Sequence, residues 1–164
     1  MGYTHYWRVA TDTDPAKLVE AGREMTKVIE ASTLPLADGF GEPGTAPRID
    51  LETGTVWFNG VDEDGYETFG WPPSLDHPSS DDPSSTFSFC KTAWQPYDHV
   101  VVACLLAAQR VLGEKIKISS DGGVDDFLDQ TESWNESARS LYTRAFGELP
   151  VVPPQVAGNR DTPL

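Results

Sequence analysis

Residues of contrasting character alternate at the start of the chain, from Tyr3 to Val9. Such alternation predicts a β-strand, because successive side chains of a strand point to opposite faces. Both predicted faces carry aromatic rings, so the pattern alone does not decide which face is buried. One face takes Tyr3, His5, Trp7 and Val9, and the other takes Thr4, Tyr6 and Arg8.

A helical pattern follows this strand. Asp14 and Pro15 form a typical helix start, since the carboxylate can cap free N–H groups and proline is tolerated at the first helical position. The helix is predicted to run to about Ala31. Apolar residues recur at helical spacing and predict one buried stripe. These residues are Leu18, Ala21, Met25, Val28 and Ile29.

The middle of the chain predicts short strands and loops. Gly and Pro are dense over residues 35–47, which indicates a loop. Ile49–Leu51 and Thr55–Phe58 flank a turn ending at Gly54, as in a β-hairpin. A third strand of this region is predicted over Tyr66–Trp71. Residues 72–85 are rich in Pro, Ser and Asp, and we expect a mobile surface loop there.

The second half predicts a buried helix between two strands. Strands are expected over Thr86–Thr92 and Lys115–Ser119, and the helix from about Pro96 to Gly113 is apolar nearly all round. A final helix is predicted over Thr131–Phe146. Its inner stripe would consist of Trp134, Ala138, Leu141, Tyr142 and Ala145.

This order of elements predicts an α+β fold. We expect a mostly antiparallel sheet of five to six strands with about three helices packed on one face. Residues 1–148 would form a single domain, and residues 149–164, which contain four prolines, a Pro-rich tail. Aromatic residues on the second sheet face would meet water unless a ligand, a loop or a partner covers them.

The composition of the chain limits the classes of partner that it can bind. The 164 residues include 12 Lys and Arg against 26 Asp and Glu, a formal net charge of −14. This charge repels a phosphate backbone and disfavours nonspecific nucleic-acid binding. The longest apolar run, Val100–Ala108, is too short to cross a bilayer, and no signal-peptide pattern opens the chain. We therefore expect a cytoplasmic protein with no membrane partner.

Metal and cofactor signatures are absent from the sequence. The two cysteines and three histidines lack the close spacing of metal ligands, so no metal is predicted. Gly39–Gly44 spells a dinucleotide-binding fingerprint, yet it lies in a loop where the flanking strand and helix are missing. No cofactor is predicted. The pattern does not decide whether the protein is an enzyme, but it favours a non-catalytic or weakly catalytic binding domain.

Two polar-aromatic clusters are the candidate site. The first spans Gly2–Trp7, and the second spans Phe87–Ala93 and closes with Pro96–Asp98. Aromatic planes can stack a base or sugar while charged tips fix its polar edge. We expect a small polar, nucleotide-like ligand between the two strands. The predicted polar contacts are His5 and Lys91, the packing surfaces are Tyr3, Trp7 and Tyr97, and the orienting carboxylate is Asp98.

Other interpretations of the same residues stay open. Aromatic side chains in a sheet are usually core, and a carboxylate at position 98 suits the first turn of a helix. Alternatively, the aromatic sheet face meets a second copy of the chain or a host protein. A third hypothesis is a hydrolase that uses His5 with Asp98 or Glu67.

Two stretches resemble a known group. Met1-Gly2-Tyr3-Thr4-His5-Tyr6-Trp7 and Phe89-Cys90-Lys91-Thr92-Ala93 with Pro96-Tyr97-Asp98 are similar to two signatures of a protein family from bacteriophage and bacterial genomes whose activity is uncharacterised. In that family a basic residue often follows the alanine, where this chain has Trp94. The resemblance implies a phage-encoded protein acting in the host cytoplasm.

Overall fold

The strands form two antiparallel sheets. The computed structural model describes residues 2–131 and 136–157, and within them the α+β class and the antiparallel pairing are confirmed. The strands divide between two sheets, whereas the sequence predicted one. In chain order they are β1 (Thr4–Val9), β2 (Leu36–Ala37), β3 (Arg48–Asp50), β4 (Thr55–Gly60), β5 (Phe69–Trp71), β6 (Ser88–Lys91) and β7 (Ile116–Ser120).

The N-terminal strand is the centre of the first sheet. This sheet has the order β6-β1-β7, so β1 is paired on both edges. The second sheet has the order β2-β4-β3, with β5 also paired to β4. The predicted hairpin is confirmed as β3 and β4, joined by a turn in which Gly54 has a φ of +70°. Glycine adopts this left-handed conformation without the steric cost other residues meet.

Five α-helices lie within the described residues, three of them predicted. Asp14 caps the first, as expected, by accepting from the N–H of Ala16 at 2.9 Å. The second is the predicted central helix, buried along most of its length. The helices are α1 (Pro15–Ala31), α2 (Asp98–Leu112), α3 (Val124–Leu128), α4 (Ala138–Phe146) and α5 (Pro154–Ala157), with 3₁₀ turns at Asp62–Asp64 and Gly113–Lys115.

The start predicted for the final helix is wrong. It begins at Ala138, because Ser137 caps it by accepting from the N–H of Ser140 at 3.1 Å. The apolar stripe is confirmed at Leu141 and Tyr142, which are buried, whereas Trp134 lies outside the described residues. The helices α3 and α5 and the two-residue strand β2 were not predicted, since each is too short to show a period.

The Pro-rich loop at residues 72–85 is anchored at its C-terminal end. The N–H of Thr11 donates to the carbonyl of Ser84 at 2.9 Å, and Arg8 pairs with Asp81 at 3.0 Å. These contacts hold this end of the loop beside β1. The mobility of the loop stays a prediction.

Helix α1 approaches the β3–β4 turn at one glycine. A Cβ added to Gly22 would lie 1.9 Å from the carbonyl oxygen of Gly54, and a Cβ added to Gly54 would lie 2.6 Å from the Cα of Val19. No side chain fits between these two backbones. The sequence thus couples helix and hairpin through a pair of glycines.

We expect Gly22→Ala to lower the free energy of unfolding by about 1–3 kcal/mol, because overpacking outweighs the higher helix propensity of alanine. Urea unfolding measures the change. Gly70→Ala is the matched control, since its added Cβ would stay 3.5 Å from the nearest atom. A Gly22→Ala variant as stable as the wild type would contradict the close approach.

Candidate functional site

A buried histidine joins three elements. The Nδ1 atom of His5 lies 2.5 Å from the Ser120 hydroxyl at the end of β7, and its Nε2 atom lies 2.7 Å from a carboxylate oxygen of Asp98 at the start of α2. Thr92 donates its hydroxyl proton to the same carboxylate oxygen. His5 and Thr92 have no exposed surface, and Asp98 is 5% exposed.

Local structure explains why these four groups meet. Strand β1 pairs with β7 so that His5 lies opposite Ser120. Asp98 occupies the first turn of α2, where the helix dipole favours a carboxylate. Buried polar groups require partners, and here each ring nitrogen of His5 has one. The arrangement provides a chain of hydrogen bonds from serine through imidazole to carboxylate.

The loop between β6 and α2 closes over this chain. The carbonyl of Tyr3 accepts from the N–H groups of Thr92 and Ala93 at 3.0 and 3.1 Å. Trp94 stacks on the Tyr3 ring at 3.6 Å between centroids. Ala93 and Trp94 both have positive φ values, of 51° and 62°, a conformation that costs free energy in residues other than glycine. The two predicted clusters are therefore in direct contact.

The predicted aromatic packing surfaces lie inside the core. Tyr3 and Trp7 are each 2% exposed, and Tyr97 is fully buried with its hydroxyl donating to the carbonyl of Glu67 at 2.7 Å. Burial raises the pKa of Tyr3 and of Tyr97 above the usual range of a phenol. The Tyr3 and Tyr97 rings support the fold and offer no surface to a ligand in this conformation.

The predicted pairing of His5 with Lys91 around one hollow is wrong. Across β1 and β6, His5 lies opposite Cys90, and Lys91 lies opposite Thr4. Residues opposite each other share a face, so the imidazole and the ammonium group project to opposite sides of the first sheet. The ammonium of Lys91 lies 5.3 Å from the centre of the Tyr66 ring, on the outer side.

Of the two alternative partners that the hydrolase hypothesis offers His5, the structure places Asp98 in contact with it. His5 and Asp98 are hydrogen-bonded, as it requires, while the Glu67 carboxylate accepts from the backbone N–H of Lys91 at 2.7 Å. Burial raises the pKa of the Cys90 thiol to about 12, which leaves it a poor nucleophile. Hydrolysis itself stays a hypothesis.

The outer face of the first sheet carries a grid of aromatic and basic side chains. Tyr6 in β1 lies opposite Phe89 in β6 and opposite Ser119 in β7. Arg8 lies opposite Lys117 in β7, and its guanidinium carbon lies 4.8 Å from the centre of the Phe87 ring. Three neighbouring strands thus bring rings and cations together on one surface.

The rings of this grid form a continuous row. Tyr6 and Phe87 are nearly parallel, with an angle of 21° and a centroid distance of 6.2 Å, and Phe87 lies 6.0 Å from Phe89. Phe87 is 45% exposed and Phe89 is 55% exposed. Exposed rings of this kind are surfaces on which a planar group can stack.

A hollow of about 290 Å³ opens on this grid. Arg8 contributes a cation whose Nη2 atom pairs with Asp81, while its buried Nη1 atom has no hydrogen-bond partner among the described residues. An unsatisfied buried donor is costly, and a ligand oxygen is one way to satisfy it. We call this feature the outer hollow, and it is lined by Tyr6, Trp7, Arg8, Phe87, Lys117, Ser119 and Gln155.

The sequence contained the signal for this face. Alternation placed Tyr6 and Arg8 together on one side of the first strand, but the site prediction followed the histidine on the other side. Lys117, Ser119 and Gln155 gave no signal of their own, since they join the grid only through the pairing of β7 and the position of α5.

Metal and membrane features are not found in the described part of the chain. No group of three His, Cys, Asp or Glu side chains there lies close enough to hold a metal ion. None of its helices combines the length and the apolar character needed to cross a bilayer.

Comparison with known proteins adds no relative. No protein-family model, no curated protein and no solved structure matches this chain. The resemblance of the two signatures to a phage and bacterial family therefore stays a prediction.

The His5 network makes a testable contribution to stability. We expect Asp98→Asn to lower the free energy of unfolding by about 1–3 kcal/mol, because His5 and Thr92 share one carboxylate oxygen and a neutral amide oxygen is a weaker acceptor than a charged one. Urea unfolding with Asp14→Asn as the control measures this. Asn is as good a helix cap as Asp, so the control should change little, and equal effects of the two substitutions would refute a special role for Asp98.

Proposed function

We propose that the protein is a binding domain for a small, planar, anionic molecule of the nucleotide type, held in the outer hollow. The observation that carries this proposal is the combination of stacked, exposed rings with cations on one sheet face. The planar group would lie against Tyr6 and Phe87, and its anionic group would contact Arg8 and Lys117. This is the predicted ligand class at a different site from the predicted one.

The electrostatics of the hollow support an anionic ligand. Arg8 keeps Nη1 without a described partner, and Lys117 forms no ion pair within residues 2–131 and 136–157. Arginine presents a planar fork of donors that suits phosphate or carboxylate oxygens. Salt screens charges beyond about 8 Å at physiological ionic strength, so only nearby acidic groups act on the hollow. Asp81 pairs with one nitrogen of Arg8, and Asp121 accepts from the Tyr6 hydroxyl at 3.0 Å. Lys117 and the Nη1 atom of Arg8 are left to contact an anion.

The size of the hollow favours a small ligand. Its volume of about 290 Å³ is near the lower end of the range of ligand pockets, which is roughly 300–1,000 Å³. The buried His5 network lies on the other side of the same sheet. It supports the hollow by fixing β1 against β7, and the proposal gives it a structural role.

The first test is a thermal-shift panel of nucleosides and of nucleoside mono-, di- and triphosphates. At a concentration of about 100 times Kd, a ligand adds about 2.7 kcal/mol to the free energy of unfolding, which raises the Tm of a chain of this size by about 5–10 °C. We expect phosphorylated compounds to shift the Tm more than the matching nucleosides. A panel in which no compound moves the Tm contradicts the proposal.

Variants on one face assign the binding to the hollow. We expect Phe87→Ala to weaken binding by about 5- to 150-fold, as loss of one stacking ring costs about 1–3 kcal/mol. Phe89→Ala is the control within the face, because Phe89 is exposed but does not line the hollow. We expect Lys117→Ala to weaken binding of the phosphorylated compounds, because it removes a cation that lines the hollow. Lys17→Ala, on an exposed position of α1, is its control. Equal effects of variant and control would place the ligand elsewhere.

Exposure of Phe89 favours a second candidate function, association of two copies through this face. A ring that is 55% exposed beside a second exposed ring is typical of interaction surfaces. We expect light scattering to give the mass of a dimer for the wild type and of a monomer for Phe89→Asp. A wild type that is monomeric at all accessible concentrations excludes this candidate and leaves small-molecule binding untouched.

A further inference from the structure

A second and larger concavity adjoins the outer hollow. This cleft has a volume of about 690 Å³ and lies between the C-terminal half of α2, the start of β7 and residues 148–155. Its apolar lining comes from both sides of the gap. The residues that supply it are Leu106, Ile116, Tyr142, Leu149, Val151 and Pro154.

The two concavities share a wall. Lys117 and Gln155 line the cleft as well as the outer hollow. Lys117 stands on β7 and Gln155 on α5, so both sides of the junction come from elements fixed in the fold. The two volumes therefore adjoin at these side chains.

The far side of the cleft is held in place. The side-chain amide of Gln109 donates to the carbonyl of Val151 at 2.7 Å, and Arg110 pairs with Glu148 at 2.9 Å. Leu149 and Val151 are nevertheless 68% and 74% exposed. Two large apolar side chains thus stand at the edge of an open cleft where an apolar group would cover them.

The charges of the cleft disfavour a second anionic group. Arg110 is already paired with Glu148 and with Glu24, at 2.9 and 3.4 Å. Glu114 adds a further carboxylate to the lining. Of the two described cations that line the cleft, Lys117 has no ion pair within the described residues, and it lies at the junction. This distribution of charges fits a ligand with an anionic linker at Lys117 and an uncharged apolar group inside the cleft.

We propose that the ligand has two parts, a nucleotide-like head in the outer hollow and an apolar arm, joined through its phosphate, in the cleft. This inference rests on the proposed function and narrows its ligand class to nucleotides that carry an alkyl or acyl substituent on the phosphate. Lys117 contacts the phosphate that joins the two parts.

The test compares phosphodiesters that differ only in the arm. AMP, GMP, CMP and UMP are each prepared as the methyl and the hexyl ester of the phosphate, so that the two esters of a pair carry the same charge. Binding is measured by isothermal titration calorimetry on the full chain. We expect the hexyl ester of the recognised nucleotide to bind at least about tenfold more tightly than its methyl ester, because each buried methylene favours binding.

Variants at the rim locate the arm. We expect the double variant Leu149→Ser with Val151→Ser to remove the advantage of the hexyl ester. Because it adds no charge near Lys117, it should leave the affinity for the methyl ester unchanged. Both side chains are exposed, so the substitutions spare the core. Phe40→Ser, at a phenylalanine that is 90% exposed elsewhere, is the control. Phe87→Ala should weaken both esters by the same factor.

The outcomes separate the two proposals. Equal affinities of the methyl and hexyl esters would overturn the two-part ligand while the nucleotide-binding function stands. Binding of neither ester, with no shift in the nucleotide panel, would remove both proposals. Hexyl phosphate that binds as tightly as the hexyl nucleotide ester would make the cleft an independent site and would overturn the link through Lys117.

Discussion

The fold depends on how the chain satisfies one buried imidazole. His5 has no exposed surface, so both ring nitrogens need partners inside the protein. Ser120 and Asp98 supply them from β7 and α2, and Thr92 shares the carboxylate from the end of β6. Slippage of β1 by one residue would turn His5 outward and leave these polar groups unpaired. The network thus favours a single register of the first sheet.

The same register creates the outer face. Because alternate residues of a strand point to opposite sides, fixing His5 inward fixes Tyr6 and Arg8 outward. Pairing then places Phe89 and Ser119 beside Tyr6, and Lys117 beside Arg8. Core and candidate site are two sides of one sheet, and a polar contact inside determines which rings and cations meet outside.

Local pattern was enough to predict most elements. The alternation at Tyr3–Val9, the capped stripe of α1 and the apolar length of α2 each lie within one continuous stretch. Division of the strands between two sheets could not be predicted, since it depends on pairing between distant segments. The start of the last helix was predicted wrongly for a local reason, because the cap at Ser137 begins the helix later than the apolar spacing from Thr131 indicates.

The candidate site shows where residue chemistry misleads. The sequence identified the two correct segments, and they are in contact through Tyr3 and Thr92. The site prediction then selected His5 and Lys91 by their chemical type. The side of the sheet that a side chain faces depends on the register of its strand, and that register is unknown until the partner strand is known. With Lys91 opposite Thr4, the lysine belongs to the outer side with Tyr6, and the histidine belongs to the core.

The strong negative charge of the chain and a cationic hollow are compatible, and together they select for ligand size. A long polyanion extends beyond the roughly 8 Å over which single charges act in physiological salt, and it meets the field of a chain of net charge −14. A small anion in the hollow meets Arg8 and Lys117 first. Since these cations come from neighbouring strands, sheet pairing alone brings them together, and net charge does not reveal them. An acidic protein with such a hollow would discriminate against nucleic acid while admitting a single nucleotide-sized anion.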